Sequence, residues 1–363
     1  MSDSFFEEYI TSLEKLELLK FLTCGSVDDG KSTLIGRILN DTGSIYIDEL
    51  KALDRVSKEK GTQKGKTDYA LLLDGLMSEQ EQGITIDVAY KYFATKKRKF
   101  IVADTPGHEE YTRNMVTGSS IADLAIILVD AEIGISKQTL RHTNICDFMG
   151  INKIILAINK MDLINYNEKK YLKIKEQYLS ICDNCNFKSV YPIPLSALKG
   201  ENIKSKSKLM HWYTGLPIIR YLETIKIDPK KGHELLLPIQ LINRPNPKFR
   251  GFCGLIASGT IKKNDKIYVL PSMTKSSVSQ IFVGDKSVDE AITNQNVTLT
   301  FNDQVSVSRG DLIVKDKDHV FIEDQFDANI IWLSKDDGYI GREYILKLSS
   351  QTTLVYITSI KHK

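Results

Sequence analysis

The sequence predicts an α/β domain built on a mostly parallel sheet with helices on both faces. An antiparallel β-barrel and a short stub of a second barrel follow it. Three observations lead there. From Lys20 to about Arg220, short runs rich in Ile, Val and Leu alternate with helical stretches, as in sheets covered on both faces. Gly25-Ser26-Val27-Asp28-Asp29-Gly30-Lys31-Ser32 spells G-x-x-x-x-G-K-S between the first such run and the first helical stretch, the context in which this motif cradles phosphate. After Leu222 the alternation gives way to short, evenly spaced strand-like runs punctuated by turn residues, as in small barrels.

Taken in order, residues 19–23, 100–103, 124–129, 154–158 and 189–194 read as strands. Residues 33–39, 109–120, 137–149 and 167–181 read as helices. Residues 225–232 look like a linker. Residues 236–242, 254–261, 266–270 and 277–283 read as barrel strands, separated by Asn243, Pro245, Pro247, Ser258-Gly259 and Asn264-Asp265. Two further strands, at 344–348 and 354–360, either pack onto the barrel or open a domain that the chain does not complete. Phe6, Ile10, Leu13 and Leu16 recur at helical spacing. The expected organisation is a helical segment at 1–20, the α/β domain at 21–229, the barrel at 230–338 and the beginning of a third domain at 339–363.

With 363 residues there is room for two or three sizeable cores. A net charge of +3 is small for this length and argues against a dedicated nucleic-acid binder. No apolar run has the length of a membrane span, and the N-terminus lacks a signal-peptide core. The five cysteines, Cys24, Cys146, Cys182, Cys185 and Cys253, are odd in number and scattered. They form no disulfide framework, and a reducing, cytoplasmic compartment fits them.

The chemistry begins at the phosphate loop. Its glycines let backbone N–H groups turn toward a polyphosphate, Lys31 can reach the β- and γ-phosphates, and the Ser32 hydroxyl can sit on Mg²⁺. In Gln82-Gly83-Ile84-Thr85-Ile86, Thr85 is a candidate switch threonine that grips Mg²⁺ and the γ-phosphate and releases them after hydrolysis. The polar, Gly-containing segment 51–73 lies between these motifs and reads as a mobile switch loop. In Asp104-Thr105-Pro106-Gly107-His108, Asp104 can hold Mg²⁺ through water and Gly107 admits the γ-phosphate close to the backbone. His108 can orient the attacking water.

Asn159-Lys160-Met161-Asp162 closes a strand. A carboxylate there can accept from both N1–H and the exocyclic amine of guanine, whereas adenine offers the reverse pattern. Ser196-Ala197-Leu198 follows another strand and can supply a backbone N–H to guanine O6. The nucleotide is therefore GTP.

These motifs resemble the translation-factor GTPase superfamily. In detail the chain is similar to the GTPase (large) subunit of bacterial sulfate adenylyltransferase. The resemblance rests on residues 25–37, on Leu73-Asp-Gly-Leu-Met-Ser-Glu-Gln-Glu-Gln-Gly-Ile-Thr-Ile-Asp-Val-Ala-Tyr90, on Gln138-Thr-Leu-Arg-His142 and on Trp212-Tyr213-Thr214-Gly215. It implies a subunit that couples GTP hydrolysis to formation of adenosine 5′-phosphosulfate and pyrophosphate from ATP and sulfate, a reaction performed on a separate small subunit. No nucleic acid and no membrane is implied as a partner.

Carried over, Lys31 binds phosphate, with Gly25, Ser26, Val27, Asp28, Asp29, Gly30, Ser32, Thr33 and Gly107 around it. Ser32 and Thr85 ligate Mg²⁺, and Asp104 holds it through water. Asn159, Lys160, Asp162, Ser196, Ala197 and Leu198 surround guanine. Val27 and Ile84 gate His108. Asp28 matches a loop aspartate that orders a monovalent cation or the backbone near the phosphates. Two features depart from the family: only the opening of its second barrel is present, and no second phosphate loop marks an appended kinase. An elongation factor that binds tRNA is the alternative; such factors typically carry His where this chain has Asp29.

Overall fold

The structure, a computed structural model, describes residues 16–45, 48–51, 53, 57, 69–72, 85, 87–227, 234–247, 249–318 and 320–361. The chain divides into two compact units, Met1–Ile227 and Asp228–Lys363. Of the helical segment expected at 1–20, residues 1–15 lie outside the described residues and 18–20 belong to the first strand of the sheet. Most of the segment 51–73, Ile84 and residues 228–233 of the expected linker also lie outside the described residues.

The first unit holds a six-stranded sheet. Its strands are β1 (Leu18–Cys24), β2 (Ala89–Ala94), β3 (Lys99–Asp104), β4 (Leu124–Asp130), β5 (Lys153–Asn159) and β6 (Ser189–Pro194), in the spatial order β2-β3-β1-β4-β5-β6. All neighbours are parallel except β2, which runs antiparallel on the edge. Every residue of β4 is buried, as expected for a strand covered on both faces.

Strand alternation sorts the apolar side chains into two cores. Ile126, Leu128, Ile155 and Ala157 pack with Leu34, Ile35 and Ile38 of α1 (Lys31–Thr42) and Ile218 and Leu222 of α5 (Ile218–Thr224). Ile127, Val129, Leu156 and Ile158 point the other way. They meet Met115 of α2 (Thr112–Ser119), Ile145 of α3 (Lys137–Phe148) and Tyr178 of α4 (Glu168–Cys182). The period-two pattern of the strands thus produces the two helical layers. Each of these layers buries an apolar helix stripe.

Some elements differ from the sequence reading. The edge strand β2 buries only Phe93, which stacks on Phe100 at 4.7 Å, while Tyr92 is exposed. The helix expected from 109 begins as a 3₁₀ turn at Glu109–Tyr111, and α2 starts only at Thr112. Ile225, assigned by composition to the linker, is buried in the first core. Its carbonyl accepts from Arg98 Nη1 at 2.5 Å.

The second unit carries β7 (Leu237–Pro238), β8 (Leu241–Asn246), β9 (Phe249–Leu255), β10 (Thr260–Lys262), β11 (Lys266–Leu270), β12 (Thr274–Val283), β13 (Lys286–Val288), β14 (Glu290–Ile292), β15 (Asn296–Phe301) and β16 (Leu312–Val314). The main sheet runs β7-β16-β11-β12-β15-β9-β8, with β13 also on β12 and β10 paired separately with β14. It curls around Leu237, Phe252, Ile267, Val278, Ile281 and Leu299. Its first strand returns to β9, where a Cβ on Gly254 would press into the Pro238 backbone, only 3.3 Å from its carbonyl carbon. That contact closes the barrel-like wall. The expected run 236–242 is interrupted after Pro238, and 254–261 divides between β9 and β10.

β17 (Glu343–Leu348) and β18 (Gln351–Tyr356) form a hairpin paired only with itself among the described residues. The turn Ser349–Ser350, with Ser349 at φ 55°, fixes Leu348 opposite Gln351 and starts the second strand earlier than its apolar residues suggest. Ser350 Oγ donates to Ile239 O at 2.7 Å, and Ile345 and Leu354 face solvent.

Candidate functional site

The parallel strands place their carboxyl ends along one edge of the sheet, where Thr23 pairs with Asp104 and Asp130 with Asn159. Open α/β sheets bind ligands at that edge. The phosphate loop leaves β1 there. Gly25 at φ 151°, Asp28 at φ 66° and Gly30 at φ 90° turn the chain back into α1. Glycine at 25 and 30 serves this geometry, because an L side chain is strained at those angles.

Lys31 is 7% exposed, and its Nζ donates to Ser26 O at 2.8 Å and Gly25 O at 3.3 Å. Burial lowers the basicity of this ammonium, while Asp104 and Asp29 oppose the shift. Ser32 Oγ donates to Asp104 Oδ2 at 3.0 Å. Thr23 Oγ1 donates to the other carboxylate oxygen at 3.1 Å, and Thr105 Oγ1 to Thr23 O at 2.6 Å. A hydroxyl and a carboxylate converging beside a buried lysine are hard oxygen donors of the kind that suits Mg²⁺. Gly107 comes against the loop: a Cβ there would lie 2.9 Å from Ser26 C and Val27 N, and closer still to Lys31 Nζ.

Asp29 supports the loop from inside, its Oδ2 accepting Ser26 N–H at 2.5 Å. Burial pushes its carboxyl from 3.8 up to about 6, against the lowering effect of that hydrogen bond. Between these values the folded chain keeps a proton that the unfolded chain has lost. The contribution of this group to stability is therefore full below about pH 4 and is lost as the pH rises through about 6. Asp29→Asn removes the titration. From pH 4 to 7 the stability of the variant relative to the parent should rise by roughly 2 kcal/mol, measured by urea unfolding at both pH values. A pH-independent difference would contradict this assignment.

His142, fully buried on α3, accepts Gly25 N–H through Nδ1 at 3.0 Å. Its ring proton therefore sits on Nε2. Burial, with Lys31 nearby, drives its pKa down to about 3, so the ring stays a neutral acceptor. The sequence offered Gln138-Thr-Leu-Arg-His142 as a recognition feature but gave this histidine no role. Asp130 was likewise not singled out: it ends β4 and pairs with Lys160 Nζ at 2.8 Å.

Beside the phosphate loop lies a cavity of about 160 Å³. Gly30 and Thr33 form one wall, Asn159, Lys160, Asp162 and Leu163 a second, and Ser196, Ala197 and Leu198 a third. Asn159 ties all three together: Nδ2 donates to Asp29 O at 2.8 Å and Oδ1 accepts Ala197 N–H at 2.9 Å. Ser196 Oγ donates to Asp162 Oδ1 at 2.6 Å and accepts Lys199 N–H at 3.1 Å.

His108 is exposed at the start of the 3₁₀ turn, with Nδ1 accepting Glu110 N–H at 3.4 Å. Nε2 is then the ring nitrogen able to engage a water. Thr85 is half-buried, Val27 is half-buried and Asp28 is exposed. Among the described residues, no helix is long and apolar enough to cross a membrane.

Residues 16–243 match the model of the elongation factor Tu GTP binding domain. The chain is 46% identical to sulfate adenylyltransferase subunit 1 of Shewanella woodyi, over 98% of this chain and 76% of the relative. It is 49% identical to the same subunit of Cellvibrio japonicus, over 98% and 75%, and 49% identical to that of Aliarcobacter butzleri, over 98% and 76%. The chain belongs to the sulfate adenylyltransferase subunit 1 family. Among solved structures it resembles the S. cerevisiae Ski7 GTPase-like domain bound to GDP and inorganic phosphate, with a TM-score of 0.52 at 18% identity over 86% of this chain and 77% of that one. At that identity the likeness shows the fold alone.

Within this family member, the residues read as the phosphate site and the base site all lie at the carboxyl edge of one sheet. Asn159 bridges the two sites. Gly83, Ile84 and Ile86, which flank Thr85, lie outside the described residues.

Proposed function

We propose that the chain is the GTP-hydrolysing subunit of sulfate adenylyltransferase. In this reading it couples GTP hydrolysis to synthesis of adenosine 5′-phosphosulfate and pyrophosphate from ATP and sulfate on a small partner subunit. The observation that carries the reading is a phosphate loop and a base cavity joined through Asn159 in a chain of this family.

The base cavity takes guanine. Asp162 accepts N1–H and the 2-amino group, held in place by the Ser196 hydroxyl. A backbone N–H of the Ala197-Leu198 segment donates to O6. Lys31 moves from the loop carbonyls onto the β- and γ-phosphates. Ser32 and Thr85, with Asp104 through water, hold the Mg²⁺ that accompanies GTP; that ion neutralises phosphate charge. A monovalent cation beside Asp28 belongs to the same reading.

Gly107 brings the start of the 3₁₀ turn to the phosphate loop, and His108 orients the hydrolytic water through Nε2. Thr85 and Gly107 respond to the γ-phosphate, and the segment 51–73 transmits that state to the small subunit. Formation of the phosphoric–sulfuric anhydride is strongly uphill, so in this reading the free energy of GTP hydrolysis is coupled to that step. The test is co-expression with a small adenylyltransferase subunit and measurement of pyrophosphate release. Release that depends on both sulfate and GTP is expected. Release indifferent to GTP, or capture of aminoacyl-tRNA in place of the small subunit, would overturn the reading.

A further inference from the structure

The guanidinium of Arg37 meets three elements at once. It projects from α1, the helix that begins at Lys31. Nε pairs with Asp41 Oδ1 at 3.0 Å one helical turn away, which fixes the plane of the group. Nη1 donates to Leu198 O at 3.4 Å, a carbonyl of the segment that walls the base cavity. Cζ lies 5.9 Å from the ring centroid of Tyr69, in the turn Tyr69–Leu72, within the range of a cation–π contact.

The surroundings are shaped to this side chain. Gly200, at φ 78°, closes the base loop by donating its N–H to Ser196 O at 2.8 Å. A Cβ on Gly200 would fall onto the guanidinium, within 3.1 Å of Nη1 and nearer still to Nη2 and Cζ. Gly36, the preceding residue, lets Tyr69 settle directly on α1, where a Cβ would come within 2.9 Å of the Tyr69 carbonyl carbon. Two glycines thus clear the space that the arginine and its aromatic neighbour occupy. Lys204 Nζ donates to Asp41 O at 2.7 Å and ties the far end of the helix to the chain beyond the loop.

We propose that Arg37 is a positioning residue for base recognition: its fork, held by Asp41, sets the Ser196-Ala197-Leu198 segment against guanine O6 and links that segment to the Tyr69 turn. Arg37 does not touch the base. It acts through the backbone whose N–H groups face O6, and its cation–π contact with Tyr69 makes the base loop and the Tyr69–Leu72 turn share one support. The inference rests on the guanine reading above. Lysine could supply the charge but not the planar fork.

The test compares two diphosphates on the full chain, GDP and 2-aminopurine riboside diphosphate, which keeps the 2-amino group and lacks both O6 and N1–H. Equilibrium titration gives both dissociation constants for the parent, Arg37→Ala, Arg37→Lys and Gly200→Ala. The parent should bind GDP much more tightly than the analogue. Arg37→Ala should weaken GDP about tenfold, the scale of a charge-assisted hydrogen bond, and the analogue less than twofold. Arg37→Lys, which keeps the stem and charge that support folding, should show the same selective loss. Gly200→Ala, which displaces the guanidinium without removing it, should do so as well. Equal losses for both nucleotides would mean that Arg37 merely supports α1, and unchanged binding of GDP would remove its role; either result overturns the proposal. A parent that binds both diphosphates equally would instead refute the guanine reading itself.

Discussion

Replacing His108 with alanine is expected to leave GTP binding within about twofold of the parent and to slow hydrolysis by roughly 10²–10⁴-fold, the range over which a positioned side chain acts on proton transfer. That corresponds to about 3–5 kcal/mol of barrier. The asymmetry follows from where the residue sits. Lys31 donates to the loop carbonyls and Ser32 to Asp104, neither contact includes His108, and His108 is exposed at the head of its own turn. Gly107, which does touch the loop, is unchanged in the variant, so the approach of this turn to the phosphates survives. The measurement is a single-turnover assay of phosphate release in the presence of the small subunit, with a separate equilibrium titration of GTP. Full-speed release would remove His108 from the hydrolytic step. Loss of binding in step with loss of rate would make it a structural residue of the loop.

The parts of the fold legible in the sequence are those in which burial is total. β4 and β5 present unbroken apolar runs that end at Asp130 and Asn159, and such runs have one sensible place, the middle of a parallel sheet. β2 carries no such signal, since as an edge strand it buries only Phe93 and leaves Tyr92 in solvent. The barrel is legible in kind but not in boundaries. Its strands are short, and the breaks after Pro238 and Leu255 arise from closure around a common core, which is a non-local event. The expected helix at 109 fails in its first turn for a local reason: Thr112 Oγ1 and Tyr111 N–H bond the carbonyls of Glu109 and His108, an i to i+3 pattern that tightens the chain.

The site divides in the same way. Gly25 to Ser32, Asp104 and Asn159 to Asp162 are legible because each lies at a strand end and its chemistry is local to its motif. The supports are not. His142 meets Gly25 across 117 residues of chain and Arg37 meets Leu198 across 161. Neither spacing has any period or motif to reveal it. Thr23 and Thr105 look like ordinary strand and turn residues until β1 and β3 pair and bring the Thr23 hydroxyl to Asp104 and the Thr105 hydroxyl to the Thr23 carbonyl.

Changing Asp162 to asparagine is expected to weaken GTP by about 10²–10⁴-fold and to admit xanthosine triphosphate. In the proposed reading the carboxylate offers two charge-assisted acceptors to guanine, each carrying about 1.5–3 kcal/mol. The asparagine amide keeps an acceptor for N1–H but presents a donor to the 2-amino group, and two donors face each other. Xanthine carries a carbonyl at that position, so the same amide now matches it. A site built on buried hydrogen bonds discriminates through the partners it leaves unpaired. The geometry favours a clean exchange. Ser196 Oγ already donates to Asp162 Oδ1 at 2.6 Å, which holds the acceptor oxygen on the Ser196 side and turns the new amino group toward the base. Asn159, which carries the connection to the phosphate loop, is untouched. Phosphate binding and the step assigned to His108 should therefore survive with the new base. The decisive assay is sulfate-dependent pyrophosphate release by the complete two-subunit enzyme, driven by each nucleotide in turn. Xanthosine triphosphate should support the variant and not the parent. If GTP still drives the variant as well as the parent, Asp162 does not read the base, and the cavity beside the phosphate loop must be assigned to another ligand.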